Sequence, residues 1–308
     1  MFDILHYDFM RNALFAGLLV SIACGVVGSL VVVNRLSSLS GGIAHAAYGG
    51  LGLAAFFRWP LLAGAMLFSL LASWIMGYVT VEKKERSDTT IGVVWAVGMA
   101  FGILMIDFTK GYYVDLMSYL FGSILAVPVQ SIIFMAVLDV IILGAITLLY
   151  KELVALSYDE EFAQISGVPV RVLYYLILVL IAFCVVVLIR VVGLILVIAL
   201  FTIPASIAEL FTRKLSRIMI IASGLGMVFT ISGLFLSFYF NLTSGATIIL
   251  VAGFSYFLAL VIKGMQKQKK RRPGISSTSQ QAARSLKMQL TPLSPLLKER
   301  GNPKGEVS

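Results

Sequence analysis

Charged side chains are scarce in this chain. Aspartate, glutamate, lysine and arginine make up 13% of its 308 residues, about half of their usual share in soluble domains. Hydrophobic residues, in contrast, reach 59%. This balance excludes a water-soluble globular domain and places the sequence among the polytopic membrane proteins.

Motifs for catalysis and nucleotide binding are also missing. The sequence contains no Gly-Lys dipeptide and therefore no Walker A loop. It has no nucleophile elbow, no His-Glu-x-x-His helix and no pair of histidines at ligand spacing. We therefore expect that the chain is not an enzyme, and that any ATP it depends on is hydrolysed by another chain.

Cysteine is nearly absent as well. Cys24 and Cys184 are the two cysteines of the sequence, and both fall within predicted membrane spans without CxxC spacing. This pattern predicts two buried thiols that pack as small apolar residues, with no disulfide framework.

Hydrophobic stretches long enough to cross a bilayer recur up to residue 262. They predict an all-α polytopic membrane protein with eight or nine transmembrane helices. The count stays open because two of the stretches, 43–58 and 192–209, are short. The predicted spans are 10–33, 43–58, 60–81, 91–106, 131–150, 172–189, 192–209, 217–238 and 245–262.

The stretch 112–128 differs from these spans. It is only moderately apolar, carries Asp115 and ends at Pro128. Because it is too short and too polar to span the bilayer, it predicts a re-entrant or interfacial helix.

The basic residues predict the orientation. With nine spans, most lysines and arginines fall on one side, which the positive-inside rule makes cytoplasmic. The N-terminus is then outside and the C-terminus cytoplasmic. The net charge of +9 is mainly this topology signal, so we expect no nucleic-acid partner. The first span is too long for a signal-peptide core and has no basic segment before it, so it should remain uncleaved.

Composition divides the chain into two regions. Residues 1–264 form the predicted transmembrane domain, and residues 265–308 form a basic cytoplasmic tail. The basic cluster at 267–272 would contact anionic lipid head groups. The rest of the tail has too little apolar surface to fold, which predicts disorder.

Small residues at helical spacing form stripes on the first two spans. Such stripes allow helix backbones to approach closely in lipid, so they predict a compact bundle. The stripes are Gly17, Ser21, Gly25 and Gly28 on the first span, and Gly42, Ala46 and Gly50 on the second.

The most informative residue is His45, in the otherwise apolar and glycine-rich stretch 40–53. An ionisable side chain at membrane depth is costly, which makes it a functional-site hypothesis by default. Gly41, Gly49 and Gly52 share its helix face. These glycines leave room either for a passing solute or for a second helix.

The role of His45 has two readings. Its imidazole could be hydrogen-bonded to a neighbouring backbone group, or it could be a transient ligand for a transition metal. Transport needs incomplete coordination, because a closed four-ligand site would trap the ion. One histidine per chain therefore fits a pathway better than a storage site. The other histidine, His6, precedes the first span and is not expected to be a ligand.

Three further residues are candidates for the pathway or for gating. Pro204 lies within a span and frees the carbonyl of Leu200, which predicts a kink or local unwinding. Asp139 lies deep in a span, where it either hydrogen-bonds to a neighbouring helix or takes part in ion passage. Glu209 lies near the cytoplasmic end of its span, as either a snorkelling surface carboxylate or a pore residue.

The longest charged loop between spans, residues 151–171, predicts a short amphipathic helix. Ser157 or Asp159 can cap it, and Gly167 can end it. Such a helix is suited to docking in the groove of a partner. The alternative is a helix flat on the membrane, where its acidic residues would be repelled by anionic lipid. The first turn carries Glu160 and Glu161, and the apolar edge consists of Phe162 and Ile165.

Five blocks of the sequence carry a resemblance to a known family. They are SGGIAHAAYGG at 40–50, DLMSYLFGSIL at 115–125, YDEEFAQISGV at 158–168, VGLILVIALFTIPA at 192–205 and SGATIILV at 244–251. In this order they resemble the permease subunits of binding-protein-dependent ABC importers for zinc, manganese and iron, over about residues 8–264.

The resemblance implies an ATP-driven importer that works by alternating access. A second permease copy (most simply an identical one), cytoplasmic ABC ATPase subunits and an extracytoplasmic metal-binding protein would complete the complex. Its location would be the plasma (inner) membrane of a prokaryote. The chain would bind no cofactor of its own, carry a divalent metal and use ATP only through the partner ATPase.

The resemblance also implies roles for particular residues. His45 matches a family histidine on the translocation path, and the block at 158–168 matches the region that couples to the ATPase. One position departs from the family: many members have an aspartate four residues before the histidine, where this chain has Gly41. The choice among manganese, zinc and iron therefore stays open. The coupling residues are Tyr158, Asp159, Glu160, Glu161, Phe162, Ala163 and Gly167.

Two alternatives remain from the sequence. One is an importer of the same type for a chelated metal or a vitamin-sized ligand. The other is a secondary transporter or a non-transporting scaffold that works without an ATPase. Secondary transporters usually show inverted repeats and paired intramembrane charges. The sequence shows no evident repeat and few embedded charges, so we prefer the ATP-driven importer.

Overall fold

The computed structural model describes residues 8–80, 87–109, 122, 124, 127–271 and 285. Most of the predicted re-entrant segment 112–128 lies outside these residues. Within the described residues the chain forms eleven helices and no strand. They are α1 (Asp8–Val33), α2 (Ser37–Phe57), α3 (Leu61–Tyr78), α4 (Ser87–Asp107), α5 (Val129–Leu148), α6 (Tyr150–Tyr158), α7 (Glu160–Ile165), α8 (Val170–Val192), α9 (Leu194–Phe211), α10 (Leu215–Phe240) and α11 (Ser244–Arg271).

Eight of the described helices are long and apolar enough to cross a membrane: α1, α3, α4, α5 and α8 to α11. This confirms the predicted all-α polytopic fold. Helix α2 is not among the eight, because serine, glycine and histidine make up much of its sequence. Its 21 residues nevertheless give a length of about 31 Å, which matches the hydrocarbon core of a bilayer.

The small residues of α1 lie against α9 and α10, as the stripe predicts. A Cβ atom at Gly17 would collide with the side chain of Thr230, and one at Gly28 would collide with the backbone of Phe201. The hydroxyls of Ser21 and Thr230 lie 3.2 Å apart and form a hydrogen bond inside this contact. Close backbone approach and a buried polar contact together fix the position of α1 in the bundle.

Helix α2 packs between α3 and α4 through its glycines. A Cβ atom at Gly50 would collide with the backbone of Gly64 on α3, and one at Gly52 would collide with the backbone of Gly102 on α4. Because glycine faces glycine across the α2–α3 and α2–α4 contacts, the backbones come closer than side chains would permit. Helix α2 is thereby held on two sides.

Three hydrogen bonds join α6 to the ends of other helices. Asn34 Nδ2 donates to Ser157 Oγ at 3.0 Å, Ser216 N donates to Tyr150 Oη at 3.2 Å, and Tyr158 Oη donates to the carbonyl of Arg213. The α1–α2 junction, α6 and the α9–α10 linker therefore lie at one end of the bundle.

The connection between α8 and α9 is a single residue, Gly193. Its φ of 82° and ψ of 158° lie in a region that is essentially restricted to glycine. Gly122, with φ 63°, packs directly on the Val192–Gly193 peptide, so a Cβ atom there would collide with it. The predicted spans 172–189 and 192–209 are thus two helices joined without a loop.

Contacts divide the chain into two compact units, Met1–Phe257 and Leu258–Ser308. Helix α11 begins in the first unit and continues to Arg271, past the predicted end of the last span at residue 262. The first residues of the predicted tail, 265–271, are therefore helical. In the first unit, Cys24 and Cys184 are both free and buried, as their positions in apolar spans predict.

Candidate functional site

His45 lies midway along α2 and is half-buried. Its Nδ1 atom is fully buried and has no hydrogen-bond partner among the described residues. A hydrogen bond from this nitrogen to neighbouring backbone, one of the two readings of the sequence, is therefore not observed. A buried nitrogen without a partner costs free energy, which is consistent with a group kept for a ligand.

The imidazole of His45 stacks on the indole of Trp95 from α4, with ring centroids 4.7 Å apart and planes inclined by 25°. The Trp95 Nε1 atom in turn lies 3.0 Å from the sulfur of Met99. The stack fixes the plane of the imidazole ring. Trp95 was not among the predicted site residues, because nothing in the predicted span 91–106 shows which of its residues faces α2.

The glycines on the His45 face are used in two different ways. At Gly49 a Cβ atom would collide with Phe68 and with the carbonyl of Gly98, and at Gly52 it would collide with Gly102. At Gly41, in contrast, a Cβ atom would meet no atom of another described helix within 4 Å. The face is therefore filled by neighbouring helices at Gly49 and Gly52, and it is open at Gly41.

A complete metal cage is absent from the part of the chain that the structure describes. No group of three or more His, Cys, Asp or Glu side chains there is placed to hold a metal ion. His45, with its open neighbour Gly41, is thus an incomplete site within one chain. Such a site can bind and release an ion, whereas a closed set of four ligands retains it.

Asp139 is deeply buried on α5, with 5% of its surface exposed. Its Oδ2 atom has no hydrogen-bond partner among the described residues, and it interacts electrostatically with Cys24 on α1 and Cys184 on α8. Helix α5 packs against α1 and α8, whereas His45 lies on α2 beside α4. Asp139 and His45 therefore occupy different parts of the bundle.

Pro204 is buried in α9, whose helix is continuous from Leu194 to Phe211. The local unwinding that the sequence suggests does not occur. The Thr202 hydroxyl donates to the carbonyl of Ile198 at 2.9 Å, and α1 packs on the adjacent turn through Gly28. Packing against neighbouring helices is what allows a proline to remain within a membrane helix.

Glu209 is exposed near the end of α9. The linker that follows α9 is hydrogen-bonded to Tyr158 at the end of α6. Glu209 therefore belongs to the end of the bundle that carries the short helices.

The short helix that the loop 151–171 predicts is α7. Asp159 is its N-cap, since the carboxylate accepts a hydrogen bond of 2.9 Å from the backbone N–H of Phe162. Ser157 instead accepts the hydrogen bond from Asn34. After the helix ends, Gly167 adopts a positive φ of 81°, as expected for a glycine just past a helix C-terminus.

Helix α7 exposes an apolar edge beside an acidic first turn. Phe162 is 62% exposed and Ile165 is 86% exposed, while Glu160 and Glu161 are also exposed. Ala163 is fully buried and anchors the helix from beneath. A rigid turn that presents one aromatic ring next to negative charge has the chemistry of a docking surface.

Tyr158, at the end of α6, is held through its hydroxyl. The hydroxyl donates to the Arg213 carbonyl and accepts a hydrogen bond from the backbone of Leu215. Burial of the hydroxyl is the main cause that raises the pKa of Tyr158 above its ordinary value, so the side chain stays neutral and remains a donor at physiological pH. Tyr158 was among the predicted site residues, whereas its neighbours Tyr150 and Asn34 were not.

These features define a class of protein: a multi-pass all-α membrane protein with a short, exposed amphipathic helix at one end of its bundle and no nucleotide-binding motif in its sequence. The chain belongs to the ABC 3 transport family, whose model matches residues 6–263. This confirms the resemblance drawn from the five sequence blocks.

Individual relatives agree with this assignment. An uncharacterized membrane protein of Synechocystis is 52% identical over 263 residues, which are 85% of this chain and 94% of that protein. The manganese transport system membrane protein MntC of Listeria monocytogenes is 34% identical over 87% of this chain and 96% of its own length. Among solved structures, a chain of PsaBC from Streptococcus pneumoniae in complex with Fab has a TM-score of 0.76 and 32% identity, covering 84% of this chain and 93% of that one.

Proposed function

We propose that this chain is the permease of an ATP-driven importer for a divalent transition metal. Manganese is the first candidate cargo, and zinc and iron are the others. The observation that carries the proposal is His45, whose buried Nδ1 has no partner among the described residues and whose helix face is open at Gly41. The manganese transport named for a relative that is 34% identical supports the choice of cargo.

The proposed complex has contacts with three kinds of subunit and with lipid. A cytoplasmic ABC ATPase would dock on α7, and an extracytoplasmic binding protein would deliver the metal at the opposite end of the bundle. A second permease copy would contribute a second His45, and membrane lipid would cover the remaining apolar faces. We place the complex in the plasma membrane of a prokaryote, with α6, α7 and the C-terminus in the cytoplasm and the N-terminus outside.

In this proposal the metal moves by alternating access. ATP binding and hydrolysis in the partner subunit would change the position of α7, and the bundle would open first outward and then inward. The ATPase can shift the permease between its outward-open and inward-open conformations only to the extent that it binds one of them more tightly than the other. His45 would hold the ion weakly in both conformations, so that the ion can enter from one side and leave on the other.

Gentle purification from native membranes tests the proposed function. We expect an ABC ATPase to co-purify with the chain, together with a binding protein that carries a divalent metal. Mass spectrometry would identify the chains and elemental analysis the metal. A chelated metal on the binding protein would redirect the proposal to that cargo. Absence of any ATPase, under conditions that keep known importers intact, would contradict it in favour of a secondary transporter.

Introducing an aspartate at Gly41 should create a tighter metal site. The space beside Gly41 is open, and position 41 lies one helical turn from His45 on the same face. The new carboxylate would add a hard oxygen ligand, and charged oxygen ligands change metal affinity by orders of magnitude. We expect Mn²⁺ binding to the purified complex to strengthen by about tenfold or more, measured by calorimetry.

The matched control is Gly41→Asn, which has nearly the same shape and no charge. If Gly41→Asn strengthened Mn²⁺ binding as much as Gly41→Asp, added shape rather than added charge would explain the effect. Unchanged affinity in both variants would show that position 41 does not face the metal.

A further inference from the structure

Helix α6 lies next to the docking helix α7. Its apolar residues Leu153 and Leu156 are buried, whereas Tyr158 at its end is 51% exposed. What distinguishes α6 is a set of hydrogen bonds from both of its ends to other parts of the bundle. They are made by Tyr150, Ser157 and Tyr158, which we call the coupling linkage.

Tyr150, at the start of α6, caps the N-terminus of α10. The backbone N–H groups in the first turn of a helix have no acceptor within the helix, and Lys214, the N-cap of α10, provides no side-chain cap. The hydroxyl of Tyr150 accepts the hydrogen bond from Ser216 N at 3.2 Å. Helix α10 is therefore capped by a side chain from α6.

At the end of α6, Tyr158 and Ser157 hold two different junctions. The hydroxyl of Tyr158 binds the carbonyl of Arg213 in the α9–α10 linker. Ser157 accepts a hydrogen bond of 3.0 Å from Asn34, whose amide also donates to the carbonyl of Leu30 at 2.8 Å. The α1–α2 junction and the α9–α10 linker are thus both tied to α6.

Both junctions lead directly to the candidate pathway residues. The α1–α2 junction begins the helix that carries His45, and the α9–α10 linker ends the helix that carries Pro204. Next to the linker, α9, α10 and the end of α1 share one tightly packed apolar cluster. Its members are Ala205, Ala208, Ile218 and Ala222, with Val32 and Val33 packed against them.

We propose that the coupling linkage transmits movement of α7 to α2 and α9. Tyr150, Ser157 and Tyr158 act as positioning residues through their hydroxyls, which hold the two junctions to α6, the helix next to α7. The exposed ring of Tyr158, which Tyr158→Phe keeps, remains available for docking. Without these hydrogen bonds, α7 would remain docked while the bundle no longer followed it. This inference rests on the proposed function and adds to it the route by which the ATPase acts on the pathway.

The test is the triple variant Tyr150→Phe, Ser157→Ala and Tyr158→Phe in the complete complex, reconstituted in proteoliposomes. Each change removes one hydroxyl and keeps the rest of the side chain, and the freed backbone groups lie at an aqueous end of the bundle where water can bind them. We expect ATPase co-purification and ATP hydrolysis to continue. The number of Mn²⁺ ions imported per ATP hydrolysed should fall by about tenfold, since net hydrogen-bond contributions of ordinary size are lost together.

Tyr239→Phe is the matched control, because Tyr239 lies at the other end of α10 and is 83% exposed. It should leave the Mn²⁺-to-ATP ratio unchanged. The milder variant Ser157→Ala alone tests the link to Asn34 with little risk to folding, and it should lower the ratio in the same direction.

An unchanged ratio in the triple variant would overturn the inference. Loss of the ATPase on purification would also overturn it, since it would show that the hydroxyls serve docking instead of transmission. Failure of the proposed function is a different result: the wild-type complex itself would then import no Mn²⁺, or would purify without an ATPase.

Discussion

Replacing Glu161 with arginine and Phe162 with alanine should release the ATPase from the membrane complex and reduce metal uptake to background. Phe162 is 62% exposed on a helix outside the membrane spans, and in the proposed function it is buried against the ATPase. Truncating an aromatic anchor of an interface typically costs 2 kcal/mol or more of binding free energy. Reversing a neighbouring charge adds electrostatic repulsion. A combined loss of about 4 kcal/mol corresponds to roughly a thousandfold weaker binding.

Co-purification of the ATPase with the tagged permease measures this loss directly. The chain offers a matched control in the adjacent pair Asp107 and Phe108, which are also exposed, with Phe108 at 64%. Asp107 ends α4 and Phe108 follows it, at the end of the bundle opposite α7. The variant Asp107→Arg with Phe108→Ala should retain the ATPase. If the ATPase stayed bound to the α7 variant, its docking surface would lie elsewhere on the chain.

Replacing His45 with alanine should reduce uptake of limiting Mn²⁺ by at least about tenfold. Loss of a residue that merely orients a metal ligand typically lowers metal affinity or activity 10- to 100-fold. In the proposed function His45 is itself a ligand. The ATPase should still co-purify, because His45 lies on α2, well away in the fold from α7. Uptake of labelled Mn²⁺ into vesicles, measured across a range of metal concentrations, would show the effect most clearly at the lowest ones.

His6→Ala is the control for this experiment, since His6 is the other histidine of the chain and precedes the first predicted span. It should transport Mn²⁺ as the wild type does. Equal uptake by the His45→Ala variant and the wild type at limiting Mn²⁺ would exclude His45 from the pathway. Trp95 would then be stacked on a histidine with a purely structural role.

The helices were largely predictable because the apolar stretches and the small-residue stripes follow simple physical rules. Gly28 and Gly50 pack on backbones of neighbouring helices, as close-packed membrane helices require. Asp159 caps α7 and Gly167 follows it, as the local sequence suggests. Hydropathy is a poor guide to α2, because its serines, glycines and histidine lower the mean hydropathy of the helix. The same glycines let α2 pack closely against α3 and α4.

The contacts between distant segments were not predictable. Trp95 and His45 meet because α2 and α4 pack together, and no local pattern shows which residue of α4 faces the imidazole. The same holds for Asn34 and Ser157, which lie far apart in sequence and meet where helices end. Pro204 was expected to cause a kink or local unwinding, and of these two effects the unwinding is absent, since α9 is continuous through the proline.

The single-residue connection at Gly193 has a practical consequence for labelling this protein. Gly193 is buried and covered by Gly122, so a protease or an antibody cannot reach the chain between α8 and α9. An inserted epitope there would force two membrane helices apart. Reporter tags that map which surface faces the medium should therefore be placed at the α2–α3 junction near Trp59, which is 50% exposed, or at the α10–α11 junction near Leu242, which is 56% exposed.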